Sequence, residues 1–516
     1  MGFTLLDGIV IVVYLIVVAI FGIKSAGAQK NTSDYFLGGR SMPWWAILFS
    51  VVATETSTLT FISIPAVSYG GSLVFLQLTF GYILGRIVVA VWFLPAYLKG
   101  ELTTAYEFLE ERFGGSMRKT ASTTFIITRL LADGVRLFAT AIPLTIIFRF
   151  AGAFESWGDM ELYLLAITII SLISLIYTFM GGIKAVIWMD VVQMGVYISG
   201  AILALLLLMG QLTISPGEAM AVLRESGKLQ VFNGGFGLSW SEFIADPYVF
   251  WIAVFGGAVF SIASHGTDHL IVQRLLSAGD LRSSQKALIW SGIVASLQFG
   301  LFLTIGLVLY LFYGGASPES LGLATGDEVF ARFIVDYMPV GITGLIVASL
   351  LAAAMSSLSS SLNALASSTT YDLIRPLSKS AWDDEKGLWI SRLATLFWGV
   401  LLTGSAFLFT WLQLSGEDRP AIVELGLGIA SYTYGGLLGV FLLGRWFQNP
   451  DSKDAMIGFF VGLLSLLFMV EGPLQEYLPG EPLTVAWPLY TVVGSTIVVL
   501  VTNLSWYLRR IFSKNS

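Results

Sequence analysis

The chain has 516 residues, 56% of them hydrophobic and only 12% charged, with a formal net charge of −6 and no cysteine. A charged fraction about half that of an ordinary soluble protein, with a mean hydropathy of +0.79, excludes a soluble globular domain and predicts a polytopic α-helical membrane protein. The missing cysteine excludes disulfides and thiolate metal sites, and no G-x-x-x-x-G-K-[ST] or H-E-x-x-H motif points to an ATPase or a metalloprotease.

In chain order, apolar runs near the ~20 residues that cross a bilayer predict about 13 transmembrane helices. A leading helix lies at 5–24 and reads as an uncleaved span, because no basic residue precedes it. Five spans follow within 43–210, near 43–68, 73–98, 119–149, 160–181 and 184–210. Five more lie within 248–445, near 248–276, 284–313, 340–373, 389–413 and 421–445. Two trailing helices occupy 454–508, near 454–470 and 484–508. The longer polar loops, 211–247 and 314–339, fall on one side, and residues 1–516 read as a single membrane transport domain.

With the N-terminus outside, 20 of the 28 Lys and Arg, among them Arg274 and Lys379, fall in inner loops. Only Arg149, Arg224, Lys228, Arg332 and Arg419 fall outside, and Arg86, Arg129 and Arg136 lie within spans. This positive-inside split places the C-terminus in the cytoplasm and the protein in the plasma (inner) membrane.

Polar residues inside spans are costly and usually face a bundle interior or a water-filled path. In SVVATETSTLTFISIP (50–65), Glu55, Ser57 and Thr60 sit mid-span and Pro65 breaks the ladder downstream, the pattern of a discontinuous helix whose freed carbonyls line a cavity. In TRLLADGVRLF, Asp133 lies four residues after Arg129 and three before Arg136, so it can neutralise either. Asp190 lies near the inner end of its span. In FSIASHGTDHLIVQR (260–274), Gly266 interrupts the span, with His265, Asp268 and His269 around it; a solvated helix end is the plainer reading, and two histidines with one aspartate make a poor zinc site. The interrupted spans are the first and sixth of ten, as expected of two inverted five-helix halves. AAAMSSLSSSLNALASS (352–368) carries seven serines in seventeen residues. Ser356, Ser359, Ser360, Asn363 and Ser367 form one helical stripe. Such residues can simply let helices pack closely, or their hydroxyls can serve as hard ligands for Na⁺.

KNTSDYFLGGRSMPWWA, ELTTAYEFLEERFG, GGIKAVIWMDVVQ, DHLIVQR, LLAAAMSSLSSSLN and GGLLGVFLLGRWF, in order between about 7 and 445, resemble the sodium/solute symporter family, whose members carry sugars, sialic acid, proline, monocarboxylates and vitamins. The resemblance implies a LeuT-type five-plus-five inverted repeat, Na⁺ as coupling ion, and no enzymatic activity. It implies a first Na⁺ site from the carbonyls of Ala53, Thr56 and Ala353 and the hydroxyls of Ser356 and Ser357. It also implies a possible second site from Asp190, Ser356, Ser359 and Ser360. Where relatives often carry Asn-Gln, this chain has Asp268-His269, and Glu55 stands beside the sodium carbonyls.

The expected solute pocket comprises Glu55, Ser57, Thr60, Asp133, Asp268 and His269, with Arg129 and Arg136 nearby. Its carboxylates and hydroxyls suit a sugar or polyol imported with Na⁺. The rival is an anionic solute, a sialic acid or monocarboxylate, held by Arg129 or Arg136. Proton coupling through Glu55, Asp190 or His269 is a further alternative. No signalling domain supports a sensor, and neither nucleic acid nor an obligatory protein partner is expected; the partners are the small polar solute and the lipid bilayer.

Overall fold

The structure, a computed structural model, describes residues 4–25, 27–150, 154, 156–323, 325–378, 382–415, 422–469 and 484–514. Lys379, Arg419 and the ends of two expected spans, 421 and 470, lie outside these residues. The described residues are helical, with no strand and a single isolated bridge between Met42 and Ala278.

The main helices are α1 (Leu5–Ser25), α2 (Trp44–Glu55), α3 (Thr58–Gly70), α4 (Leu76–Trp92), α5 (Gly115–Phe150), α6 (Asp159–Gly210), α7 (Phe250–Gly266), α8 (His269–Leu276), α9 (Leu281–Phe312), α10 (Ile342–Ser368), α11 (Asp384–Ser415), α12 (Ile422–Trp446), α13 (Ser452–Met469) and α14 (Tyr490–Lys514). Every expected span overlaps one of them. Among the described residues, eight helices are long and apolar enough to cross a membrane, or nine with the bent α2–α3 pair taken as one span. Two expected spans share α6, whose 52 residues turn at Gly182 (φ 54°, ψ −153°). There a Cβ would stand 2.2 Å from the Tyr35 carbonyl oxygen, so only glycine fits.

The first core span breaks at Thr56 and Ser57, both extended, with a bend of 63° between α2 and α3. Pro65 does not make the break: it lies inside α3, downstream. The Ser57 N–H leaves the helical ladder and donates to Thr60 Oγ1 at 3.3 Å. The sixth span breaks at Thr267 and Asp268, just past Gly266, and Asp268 caps α8 by accepting from the Leu270 N–H at 2.9 Å. α10 runs through the centre: every residue from Ile346 to Ser368 is buried, whereas in α1 only Asp7, Val18 and Gly22 are. The serine-rich half of α10 therefore faces protein rather than lipid.

Candidate sodium and solute site

The break in the first core span frees backbone oxygens where α2 meets α10. In an unbroken helix the Ala53 carbonyl would accept from the Ser57 N–H. Here it accepts from Ser356 Oγ at 2.9 Å, and the Thr56 carbonyl accepts from Ser357 Oγ at 3.3 Å. Both hydroxyls also donate to the Ala353 carbonyl, at 3.1 and 3.3 Å. All five expected ligands of the first Na⁺ site thus converge, buried, from two helices. The group is neutral, rich in hard oxygen and free of carboxylate, which suits a monovalent hard cation. Each hydroxyl could turn its lone pairs toward the ion by rotating its proton away. Among the described residues no three His, Asp or Glu side chains are grouped to hold a metal.

The second expected cluster is assembled around a guanidinium. Arg274, counted in sequence as an inner-loop cation, is wholly buried in α8. Its Nε donates to Ser50 Oγ at 2.9 Å, its Nη1 to the Leu270 carbonyl at 2.7 Å, and its Nη2 to Ser360 Oγ and, at 3.3 Å, to Asp190 Oδ2. Ser50 also donates to Asp190 Oδ2, at 2.5 Å. Asp190 Oδ1 is buried without a partner. Ser359 Oγ donates back to the Ser356 carbonyl at 3.2 Å.

On the solute side the expected group divides. Glu55 is bound by Arg86 Nη2 at 2.6 Å and by His265 Nε2. Arg129 binds Asp268 Oδ2 and reaches Asp133 at 3.4 Å. Tyr434 Oη donates to the same Asp268 oxygen and meets Arg129 Nη2, both at 2.8 Å. His269 does not join Glu55: its Nε2 meets Ser367 Oγ at 3.0 Å, and its ring lies against Tyr106 and Phe125. Both histidines are buried, so the solvated-end reading fails. Arg136 and Asp133 line a narrow cleft with Thr140, Ala354, Ser357 and Ser361, leaving about 10 Å³, room for roughly one water. Arg136 makes no hydrogen bond or ion pair among the described residues. Sequence reasoning left Arg86 and His265 out of the pocket although both were visible as intramembrane polar residues; Tyr434 carried no signal.

The model of the sodium:solute symporter family matches residues 35–462. The chain is 28% identical over 494 residues to the sodium/sialic acid symporter SiaT of Proteus mirabilis, covering 95% of this chain and 93% of that one. It is 30% identical over 502 residues to the mouse sodium-coupled monocarboxylate transporter 1, covering 95% and 77%. Its structure is similar to that of a substrate-bound, outward-open Na⁺-coupled sialic acid symporter, with a TM-score of 0.83, 28% identity and 98% of both chains covered. MhsT in complex with L-phenylalanine shares the fold alone, with a TM-score of 0.51, 15% identity and coverage of 93% and 100%. The all-helical LeuT-type fold, the sodium motifs and these likenesses agree: the chain belongs to the sodium:solute symporter family, a membrane transporter that couples Na⁺ to a small solute, and not an enzyme.

Proposed function

We propose that the protein imports a carboxylate solute together with Na⁺ across the plasma membrane, its C-terminus in the cytoplasm. The observation that carries this is Arg136, which lines the cleft beside Ser357 and makes no ion pair among the described residues, while the nearby Asp133 carboxylate is engaged by Arg129. Arg129, the other candidate anchor, already has Asp268, Asp133 and Tyr434. A carboxylate admitted as this cleft opens would pair with Arg136 beside Ser357, whose hydroxyl bonds the Thr56 carbonyl just ahead of α3. Ser357 belongs both to that cleft and to the sodium cradle. A Na⁺ in the cradle therefore lowers the cost of bringing in an anion, and the anion lowers the cost of the Na⁺. Mutual stabilisation of this kind is the physical content of coupling.

The sugar or polyol expected first loses its support. It relied on free carboxylates, but Asp268 is held by Arg129 and Tyr434, and Glu55 by Arg86 and His265. The relatives named above carry sialic acid and monocarboxylates. A second Na⁺ is proposed with Asp190 Oδ1, the carboxylate oxygen without a partner, as its charged ligand, beside Ser356, Ser359 and Ser360.

The test is ligand-induced thermal stabilisation of purified protein in Na⁺ and in K⁺ buffer, with N-acetylneuraminate, lactate, propionate and neutral sugars. Stabilisation by a carboxylate in Na⁺ only, weakened by Arg136→Gln, supports the proposal. A response to neutral sugars alone contradicts it.

A further inference from the structure

We infer that Arg86 and His265 hold Glu55 as a fixed hydrogen-bond acceptor at the helix break, so that the solute is a carboxylate bearing hydroxyl or amino donors rather than a plain alkyl acid. This rests on the carboxylate reading and narrows it. Glu55 ends α2, one residue before Thr56, whose carbonyl bonds Ser357 at 3.3 Å. Ser357 lines the cleft of Arg136. Glu55 at the end of α2 and Ser357 of the Arg136 cleft thus both adjoin Thr56 at the break.

The holders are buried and the carboxylate is partly exposed. Side-chain exposure is 1% for Arg86 and 6% for His265, but 24% for Glu55. Arg86, on α4, is braced by Ser291, whose Oγ accepts from Nη1 at 2.6 Å. On α7, His265 Nε2 meets Glu55, and its Nδ1 lies 2.9 Å from Ser264 Oγ and 3.1 Å from the Ser261 carbonyl oxygen, so the ring is held from both nitrogens. Three helices therefore fix the carboxylate in place.

A carboxylate accepts about four hydrogen bonds, and these two donors leave part of that capacity open in a side chain that is 24% exposed beside the helix break. Arg86 balances the charge of Glu55, so the cluster does not repel an anion. It does require donors, because an alkyl group pressed against it would strip water from the carboxylate and return nothing. Glucuronate and cyclohexanecarboxylate share ring size and charge but differ in hydroxyls, as lactate and propionate differ by one.

The experiment measures displacement of labelled N-acetylneuraminate, or thermal stabilisation, by each pair on the full-length protein in Na⁺ buffer. The hydroxylated member should bind on the order of ten-fold or more tightly in each pair. Glu55→Gln should bring the ratio towards one by weakening the hydroxylated member, with the Na⁺ requirement unchanged. His265→Ala should do the same, and His265→Gln, which keeps a donor, should restore part of the ratio; a merely structural role would not move the ratio. Equal binding within both pairs by the unaltered protein overturns the inference and leaves the carboxylate reading standing, whatever the variants' folding. No binding of any carboxylate overturns both.

Discussion

Replacing Ser356 with alanine removes one oxygen from the sodium cradle and almost nothing else. Its hydroxyl bonds the Ala53 and Ala353 carbonyls at 2.9 and 3.1 Å in a site with no exposure to solvent. Without Na⁺ the loss is that of a neutral hydrogen bond, about 0.5–1.5 kcal/mol, so the protein should still fold. With Na⁺ bound, the hydroxyl is a charge-facing ligand, and its loss should cost about 1.5–3 kcal/mol. At about 1.4 kcal/mol per decade, the Na⁺ concentration for half-maximal uptake should rise roughly 10- to 100-fold. Ser357→Ala should act similarly through the Thr56 carbonyl. Ser349, on the same helix, donates instead to the Leu345 and Val196 carbonyls, so Ser349→Ala should leave the Na⁺ requirement unchanged. The assay is Na⁺-titrated uptake into proteoliposomes, with abundance checked by size exclusion. If Ser356→Ala and Ser357→Ala both keep the unaltered Na⁺ requirement, the cradle is not the sodium site.

The remaining predictions concern the buried polar framework. If two Na⁺ accompany a monovalent anion, one net charge crosses per solute, about 2.3 kcal/mol per 100 mV; Asp190→Asn should move transport towards electroneutrality, and an unaltered protein that is already electroneutral refutes the second site. Asp190→Ala alone leaves Arg274 buried without its carboxylate and should destabilise by about 3–5 kcal/mol. Adding Arg274→Met should recover part of that loss in thermal melting, and strict additivity would argue against the pair. On α9, a Cβ at Gly306 would stand 2.0 Å from the Pro65 carbonyl oxygen, whereas Gly300 has nothing within 4 Å. Gly306→Ala should therefore destabilise by about 1–3 kcal/mol and Gly300→Ala should be neutral, both read by melting.

Periodicity and polarity made the broken helices legible before any coordinates. A run such as ATETSTLT cannot satisfy its backbone in lipid as a plain helix, and seven serines in one turn-rich stretch cannot all face hydrocarbon. The proposed sodium cradle joins residues 303 and 301 positions apart and is legible from the family resemblance rather than from local pattern. The solute side was less legible because its pairing, also long-range, lies where the chain departs from the family. Glu55 finds Arg86 31 residues away and His265 210 residues away, and nothing local told His265 from His269. The difference is helix phase: α7 runs on through Gly266, so His265 points at Glu55, while His269 opens α8 beyond the break and faces Ser367. Arg274 misled for the opposite reason. Counting charges near span ends assigns it to a loop, but α8 packs inward and buries it against Asp190. Pro65 lies within α3, where its missing N–H deprives the Phe61 carbonyl of its usual helical partner, yet the chain stays helical across it.

The most direct measurement of the central claim is uptake of radiolabelled N-acetylneuraminate or lactate into proteoliposomes under an inward Na⁺ gradient. The account predicts accumulation above equilibrium, collapse of that accumulation when K⁺ replaces Na⁺, and loss with Arg136→Gln in protein that still melts cooperatively. Accumulation of a neutral sugar with no Na⁺-driven uptake of either carboxylate, or carboxylate uptake indifferent to Arg136, would contradict it.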